Sequence, residues 1–379
     1  MKNIERSNEE GGAILRVLFV DSGALGFHVR YAYDIYTSLM NDFHCLVRQV
    51  HPQNLLHQTI RDYRPDLLLV VHGSRTPLQQ VRYARSLGTV TALWLVEDPY
   101  EIDFHRGAMV NAFDFVFTNE RQAVDEYSHP RVTYLPWCCN PRIHKKMNVS
   151  SAYRSDLCFV GMGFPNRVQV LNSLAPFLKN LNVKLIGEWN RWEKLHPDLQ
   201  DFVIPVVNDF REVLKYYNGA KINLNIHRDP VNPPSGNSRG VMATSPNDRT
   251  FAIAGCSGFQ MVDRFRSDLW DCFQDEKEIV SFSEPDDLAC KIESYLSKPE
   301  LRVLIGAESQ NKAYRDHTYK HRLGEIFQQI RNFKPNKVKV IPKPKHLQTT
   351  FFYQGQNNAS WPPSRDVANN GKEFRSYNR

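Results

Sequence analysis

The chain has 379 residues, 41% hydrophobic and 12% aromatic, a globular composition that at roughly 150 residues per domain leaves room for two. Nowhere does an apolar run approach the ~18 residues of a membrane span, and the polar, acid-bearing start MKNIERSNEEGG does not read as a signal peptide, so a cytoplasmic protein is expected. The formal charge of +7 belongs mostly to the end of the chain, where eight Lys/Arg face two Asp/Glu from Pro335 onward; no basic field covers the body, and no nucleic-acid partner is expected. Seven cysteines without a C-x-x-C pair read as reduced, mostly buried thiols, and no metal site is expected.

In chain order, Ile14 to Val20 is a β-branched apolar run that ends on the loop Asp21 to Gly26, with a helical stretch from about Tyr31 to Met40. Pro65 to Gly73, Val90 to Val96, Phe113 to Asn119 and Val132 to Pro136 read as further buried strands, most of them separated by helical patterns. After Asn148 the rhythm restarts. Ser155 to Gly163 is a strand with a glycine turn, Asn166 to Leu178 a helix, Val183 to Gly187 a strand, Phe210 to Tyr217 a helix, and Lys221 to His227 a strand. A Pro/Gly/Ser/Asn loop leads to SPNDRTFAIAGCSGFQMVD, from Ser245 to Asp263: a capped short helix, a glycine stop and a buried strand. Glu278 to Phe282 reads as a strand. Ser283-Glu284-Pro285-Asp286 reads as a capping box opening a helix to about Leu296, and one last helical stretch covers 301–331.

Apolar strands alternating with helices predict parallel sheets covered on both faces. The reading is α/β, with two Rossmann-like domains over 13–150 and 151–334 facing across a cleft, and a disordered basic tail over 335–379. Ligands in such folds bind at the carboxyl edges of the strands. The first loop lacks the G-x-G-x-x-G spacing of a dinucleotide site, which favours a nucleotide-sugar enzyme over a dehydrogenase.

At those edges several residues suit an anionic ligand. Arg249 and Thr250 stand at the mouth of the short helix, where free N–H groups and the dipole make a phosphate seat. Asn247 is either a cap or a ligand contact. His227 and Arg228 end a strand, Gly161 lets a backbone approach a ligand closely, and Arg167 lies one turn into the next helix. Each has a plain alternative as a cap, edge residue or solvated side chain. Glu97 and Asp98 end the third strand read here, and neighbours on a strand point in different directions, so one of them faces the cleft. Asp98 and His28 are the candidates for orienting or deprotonating a hydroxyl.

Residues 90–330 also resemble the CgeB-like family of glycosyltransferase-like spore maturation proteins. The resemblance rests on Trp94-Leu95-Val96-Glu97-Asp98-Pro99 (the family's W-x-x-D-D-P block), Phe115 to Asn119, Tyr134-Leu135-Pro136, Phe159-Val160-Gly161 with Arg167, Lys221 to Arg228, Ser245 to Phe251, and His317-Thr318-Tyr319 with Arg322. It implies the GT-B fold, with the first domain taking the acceptor and the second the donor. It also implies metal-independent transfer of a hexose from a nucleotide-diphosphate sugar to a glycan or glycoprotein of a spore or cell-surface layer, without a bound cofactor. Gly161, Arg167, His227, Arg228, Asn247, Arg249 and Thr250 would then hold the donor. In related transferases a glutamate follows the Arg-Thr-Phe block and holds the ribose; here the residue is Ala252, and the acid sometimes found eight residues earlier is Thr244. A degenerate scaffold that binds nucleotide or glycan is the alternative.

Overall fold

Twelve strands form two six-stranded sheets in the computed structural model, which describes residues 14–24, 27–233 and 235–333. The first sheet contains β1 (Arg16–Val20), β2 (Leu46–Val50), β3 (Leu67–Val71), β4 (Val90–Leu95), β5 (Phe115–Thr118) and β6 (Val132–Tyr134), ordered β2-β1-β3-β4-β5-β6. The second contains β7 (Ser155–Val160), β8 (Val183–Ile186), β9 (Val203–Ile204), β10 (Ala220–Asn225), β11 (Gln260–Asp263) and β12 (Val280–Phe282), ordered β12-β11-β10-β7-β8-β9. All ten pairings are parallel. The central strands β3 and β4 are buried at every position, as strands covered on both faces must be. In each sheet the strand order reverses direction at its first strand, β1 or β7, and the crevice of an open α/β sheet lies there.

The sequence reading misses β2 and β9. LVRQV carries polar residues through an edge strand that is mostly exposed, so it lacks the apolar run that betrays the central strands. The 301–331 stretch is two helices, Pro299–Asp316 and Tyr319–Phe333, broken where Cys139 bridges Thr318. Asn166 to Leu178 likewise divides, into Pro165–Ser173 and Ala175–Leu178. The expected capping box is displaced by one residue: Ser283 N–H and Oγ meet the Asp287 carboxylate at 2.9 and 3.2 Å, not Asp286.

The helix Tyr319–Phe333 returns to the first sheet. Tyr319 packs near Trp94, Phe327 against Phe43 and Phe333 against Phe115. Apolar residues of both halves, such as Phe19, Trp94, Phe251 and Phe273, share one core cluster with this helix. A limit at 150 therefore leaves out a C-terminal piece of the first sheet's covering. All seven cysteines are free, and only Cys290 is exposed. No helix among the described residues is long and apolar enough to cross a membrane. The tail from Pro335 and the glycine-loop residues Leu25 and Gly26 lie outside the described residues.

Candidate functional site

The glycine turn after β7 is where the second sheet gathers its charge. Gly161 has φ +153, a conformation that favours glycine, and a Cβ there would stand 3.2 Å from Arg249 Nη2, 3.3 Å from Arg167 Nη1 and 3.2 Å from the Phe159 ring. Arg167 is buried in the first turn of Pro165–Ser173 and donates to the carbonyls of Ile226 and Met162, each at 2.9 Å. Arg249 lies 5.0 Å over the Phe159 ring, and its Nη1 is buried with no hydrogen-bond partner. Arg228 lies 4.4 Å over both Tyr100 and Phe164, and its Nε is likewise buried and unpartnered.

Among the described residues, no carboxylate lies within ion-pair distance of Arg167, Arg228 or Arg249. Burial, with Arg249 and Arg228 adding repulsion, pulls the Arg167 guanidinium well below its ordinary value. A guanidinium still keeps its proton. Three converging cations without an ion-paired carboxylate among the described residues therefore make a seat whose free energy falls when an anion enters.

The structure corrects three of the candidate donor contacts. Asn247 is the helix cap: its Oδ1 accepts the Thr250 N–H at 3.0 Å, and its Nδ2 donates to Asn225 Oδ1 at 2.9 Å. Thr250 is fully buried, with its hydroxyl 2.9 Å from Asn225 Nδ2 and 3.1 Å from Asn247 Oδ1. His227 has both ring nitrogens engaged, Nδ1 with Asp263 at 3.0 Å and Nε2 accepting the Asn247 N–H at 3.2 Å. Burial lowers its pKa despite Asp263, so the ring is neutral and suited to that acceptor role. These residues build the mouth of the helix Asp248–Gly255 from behind and do not line it. Gly258 lets the chain turn beneath: a Cβ would come within 2.9 Å of Asn223 Nδ2 and of Ile253.

Contacts between the two halves include two that involve the candidate site. Arg30, on the helix Phe27–Asn41, donates to Asp248 at 2.5 Å, so the first domain grips the first residue of the arginine-bearing helix. Tyr100 donates to the Arg228 carbonyl at 3.2 Å.

On the first sheet's edge the candidate Asp98 is also corrected. Its carboxylate is fully buried and receives Thr118 Oγ1 at 2.6 Å, Tyr127 Oη at 2.8 Å and His105 Nδ1 at 2.9 Å. It orients neighbours and has no open side for a substrate. Its neighbour Glu97 faces outward, partly exposed, with Oε1 3.8 Å from Nε2 of His28. Burial and the nearby Glu101 push Glu97 up to about 8, whereas burial and His72 push His28 down to about 4. His28 thus stays at the edge as expected, beside a carboxylate whose raised affinity for protons suits a base. Ala252 is buried among Leu214, Tyr217, Ile253 and Cys256, an apolar setting.

Residues 167–328 match the family model described as glycosyl transferase-like. Spore protein CgeB of Bacillus subtilis (strain 168) is 26% identical over 320 residues, spanning 80% of this chain and 95% of that protein. The chain is thus similar to glycosyl transferase-like proteins over its second half and to CgeB over most of its length. Solved structures agree on its architecture at low identity. Anabaena Alr3699/HepE in complex with UDP and glucose is 11% identical, with TM-score 0.56, covering 84% of this chain and all of that one. A glycosyltransferase from Rickettsia africae ESF-5 is 10% identical, with TM-score 0.56, covering 85% and 99%. The chain thus has the GT-B fold that the resemblance implied, built from the two α/β units that its alternating strands predict.

Proposed function

We propose that this CgeB-like chain transfers a hexose from a nucleotide-diphosphate sugar to a hydroxyl of a glycan or glycoprotein. The observation that carries the reading is the cluster of Arg167, Arg228 and Arg249 at the Gly161 turn, with no carboxylate in range among the described residues. A diphosphate supplies the missing charge as ligand and as leaving group, and the guanidiniums neutralise it as the glycosidic bond breaks. Glu97 takes the acceptor proton, with His28 beside it. The reading is supported at fold level by HepE, whose structure contains UDP and glucose. An acceptor in a spore or surface layer is proposed from the likeness to a spore protein.

Ala252 favours a second reading, a binding scaffold without transfer, because its apolar surroundings offer no carboxylate for a ribose. Calorimetric titration with nucleoside diphosphates and their sugar conjugates, repeated on Arg249→Ala, tests the first step. Binding weakened by the substitution supports the donor seat, and absence of binding to every member sinks it. Sugar transfer to water or acceptor then separates enzyme from scaffold.

A further inference from the structure

A second constellation lies on the first sheet's edge, assembled from the ends of β3 and β4. His72 follows β3 with φ +65; its Nδ1 lies 2.8 Å from Ser74 Oγ, and its Nε2 lies 2.9 Å from Glu101 Oε2. Glu101 and His105 are four residues apart across the short helix Ile102–His105, so their side chains share a face. His105 is completely buried. Its Nδ1 is held by Asp98 at 2.9 Å, while its Nε2 has no hydrogen-bond partner and lies 4.0 Å from Glu101 Oε2. One ligand atom from each of His72, Glu101 and His105 lies within 4.8 Å of the other two.

A buried ring nitrogen without a partner needs an explanation. Here the ring is fixed by a carboxylate on its far side, and the free nitrogen points into a group of two further donor atoms. Histidines that bind metals are oriented in this way: the other ring nitrogen is held by a carboxylate or hydroxyl, which sets the tautomer. We propose that His72 Nε2, Glu101 and His105 Nε2 hold a divalent transition-metal ion of the zinc class. Two imidazoles and a carboxylate are a borderline donor set, suited to Zn²⁺ or Co²⁺ and unlike the all-oxygen cages of Ca²⁺ or Mg²⁺. Tetrahedral bonds of about 2.1 Å place ligand atoms ~3.4 Å apart. The set reaches that spacing when the 2.9 Å His72–Glu101 contact opens and the longer contacts of His105 shorten, and the Glu101 side chain, 37% exposed, has the freedom to move. Three protein ligands leave a coordination position for water or a hydroxyl. The site adjoins the proposed acceptor side, since the His28 ring packs edge-on against His72 with centroids 5.2 Å apart.

No local sequence pattern marks this site, because its ligands come from two strand ends about thirty residues apart and only one of them is acidic. It does not depend on the donor reading, and its test needs no sugar nucleotide. The full chain is stripped with a chelator and dialysed against Zn²⁺ or Co²⁺. Bound metal is measured by elemental analysis, and the Co²⁺ form by visible absorption. A single ion per chain is expected, with the intense ligand-field bands of four-coordinate Co²⁺. Glu101→Gln and His72→Gln each weaken binding by more than the about 10–100-fold typical of outer-shell changes, with unchanged circular dichroism. Glu101→Gln is near-isosteric and partly exposed, so it keeps the fold. Substoichiometric metal in the wild type, or binding that survives in the double variant, overturns the proposal.

Discussion

The carboxyl edge of the second sheet gathers Arg167, Arg228 and Arg249 without an ion-paired carboxylate among the described residues, whereas that of the first gathers His28, His72 and His105 with Glu97, Asp98 and Glu101. Both edges are largely buried, so the difference is one of chemistry. The arginines carry permanent charge and make a seat that is incomplete without an anion. The His/carboxylate edge can move protons or bind a metal, and most of its members already satisfy one another. In the proposed reading one fold uses the same topological position twice: once to hold a charge and once to handle a proton.

The comparison is broken most severely by removing the proton-handling group. Glu97→Gln is expected to lower kcat by about 10²–10⁴, the usual worth of a general base, with donor affinity kept. If transfer persists at the wild-type rate, the first edge does not act as assigned. On the other edge, Arg249→Ala removes charge-assisted contacts worth about 1.5–3 kcal/mol, so calorimetry should show donor affinity reduced by roughly 10–100-fold. An equal loss from Glu97→Gln would erase the division of labour between the edges.

Smaller effects sharpen the distinction between lining a site and building it. Asn247→Ala is expected to destabilise the fold by about 1 kcal/mol through loss of the cap, read as a lower denaturant midpoint, with a smaller effect on donor affinity than Arg249→Ala. A loss of affinity as large as that of Arg249→Ala would return Asn247 to the ligand shell. The Asp263–His227 pair gives a test by pH. Burial raises the Asp263 carboxyl, but the His227 ring and backbone N–H outweigh it and bring it from 3.8 to about 2. A carboxyl depressed in the fold contributes stability that is present above its ordinary value and lost as pH falls through the folded one. The stability gap between wild type and Asp263→Asn should therefore narrow from about pH 4 to about pH 2, by denaturant unfolding across that range. A gap independent of pH would show that Asp263 is not held ionised by this pair.

Much of the fold was legible because parallel strands covered on both faces are written as unbroken apolar runs, as in Leu67 to Val71 and Val90 to Leu95. β2 was not, since an edge strand need not be apolar. Part of the proposed donor seat carries local signals: a glycine after a buried strand, arginines near helix starts and one just past a strand end, and the structure brings Gly161, Arg167, Arg228 and Arg249 near one another. His227, Asn247 and Thr250 carry the same signals but are consumed by Asp263 and Asn225, partners that no local pattern names.

The sequence by itself determined the α/β alternation, the tandem arrangement and the capped helix at Asp248, because propensity, capping and strand burial act over a few residues. Tertiary structure alone decided which of Glu97 and Asp98 faces outward, that Arg30 reaches Asp248, and that His72 meets Glu101 and His105. Those outcomes depend on how distant segments share space, and a polar side chain's role is set by which neighbour reaches it first.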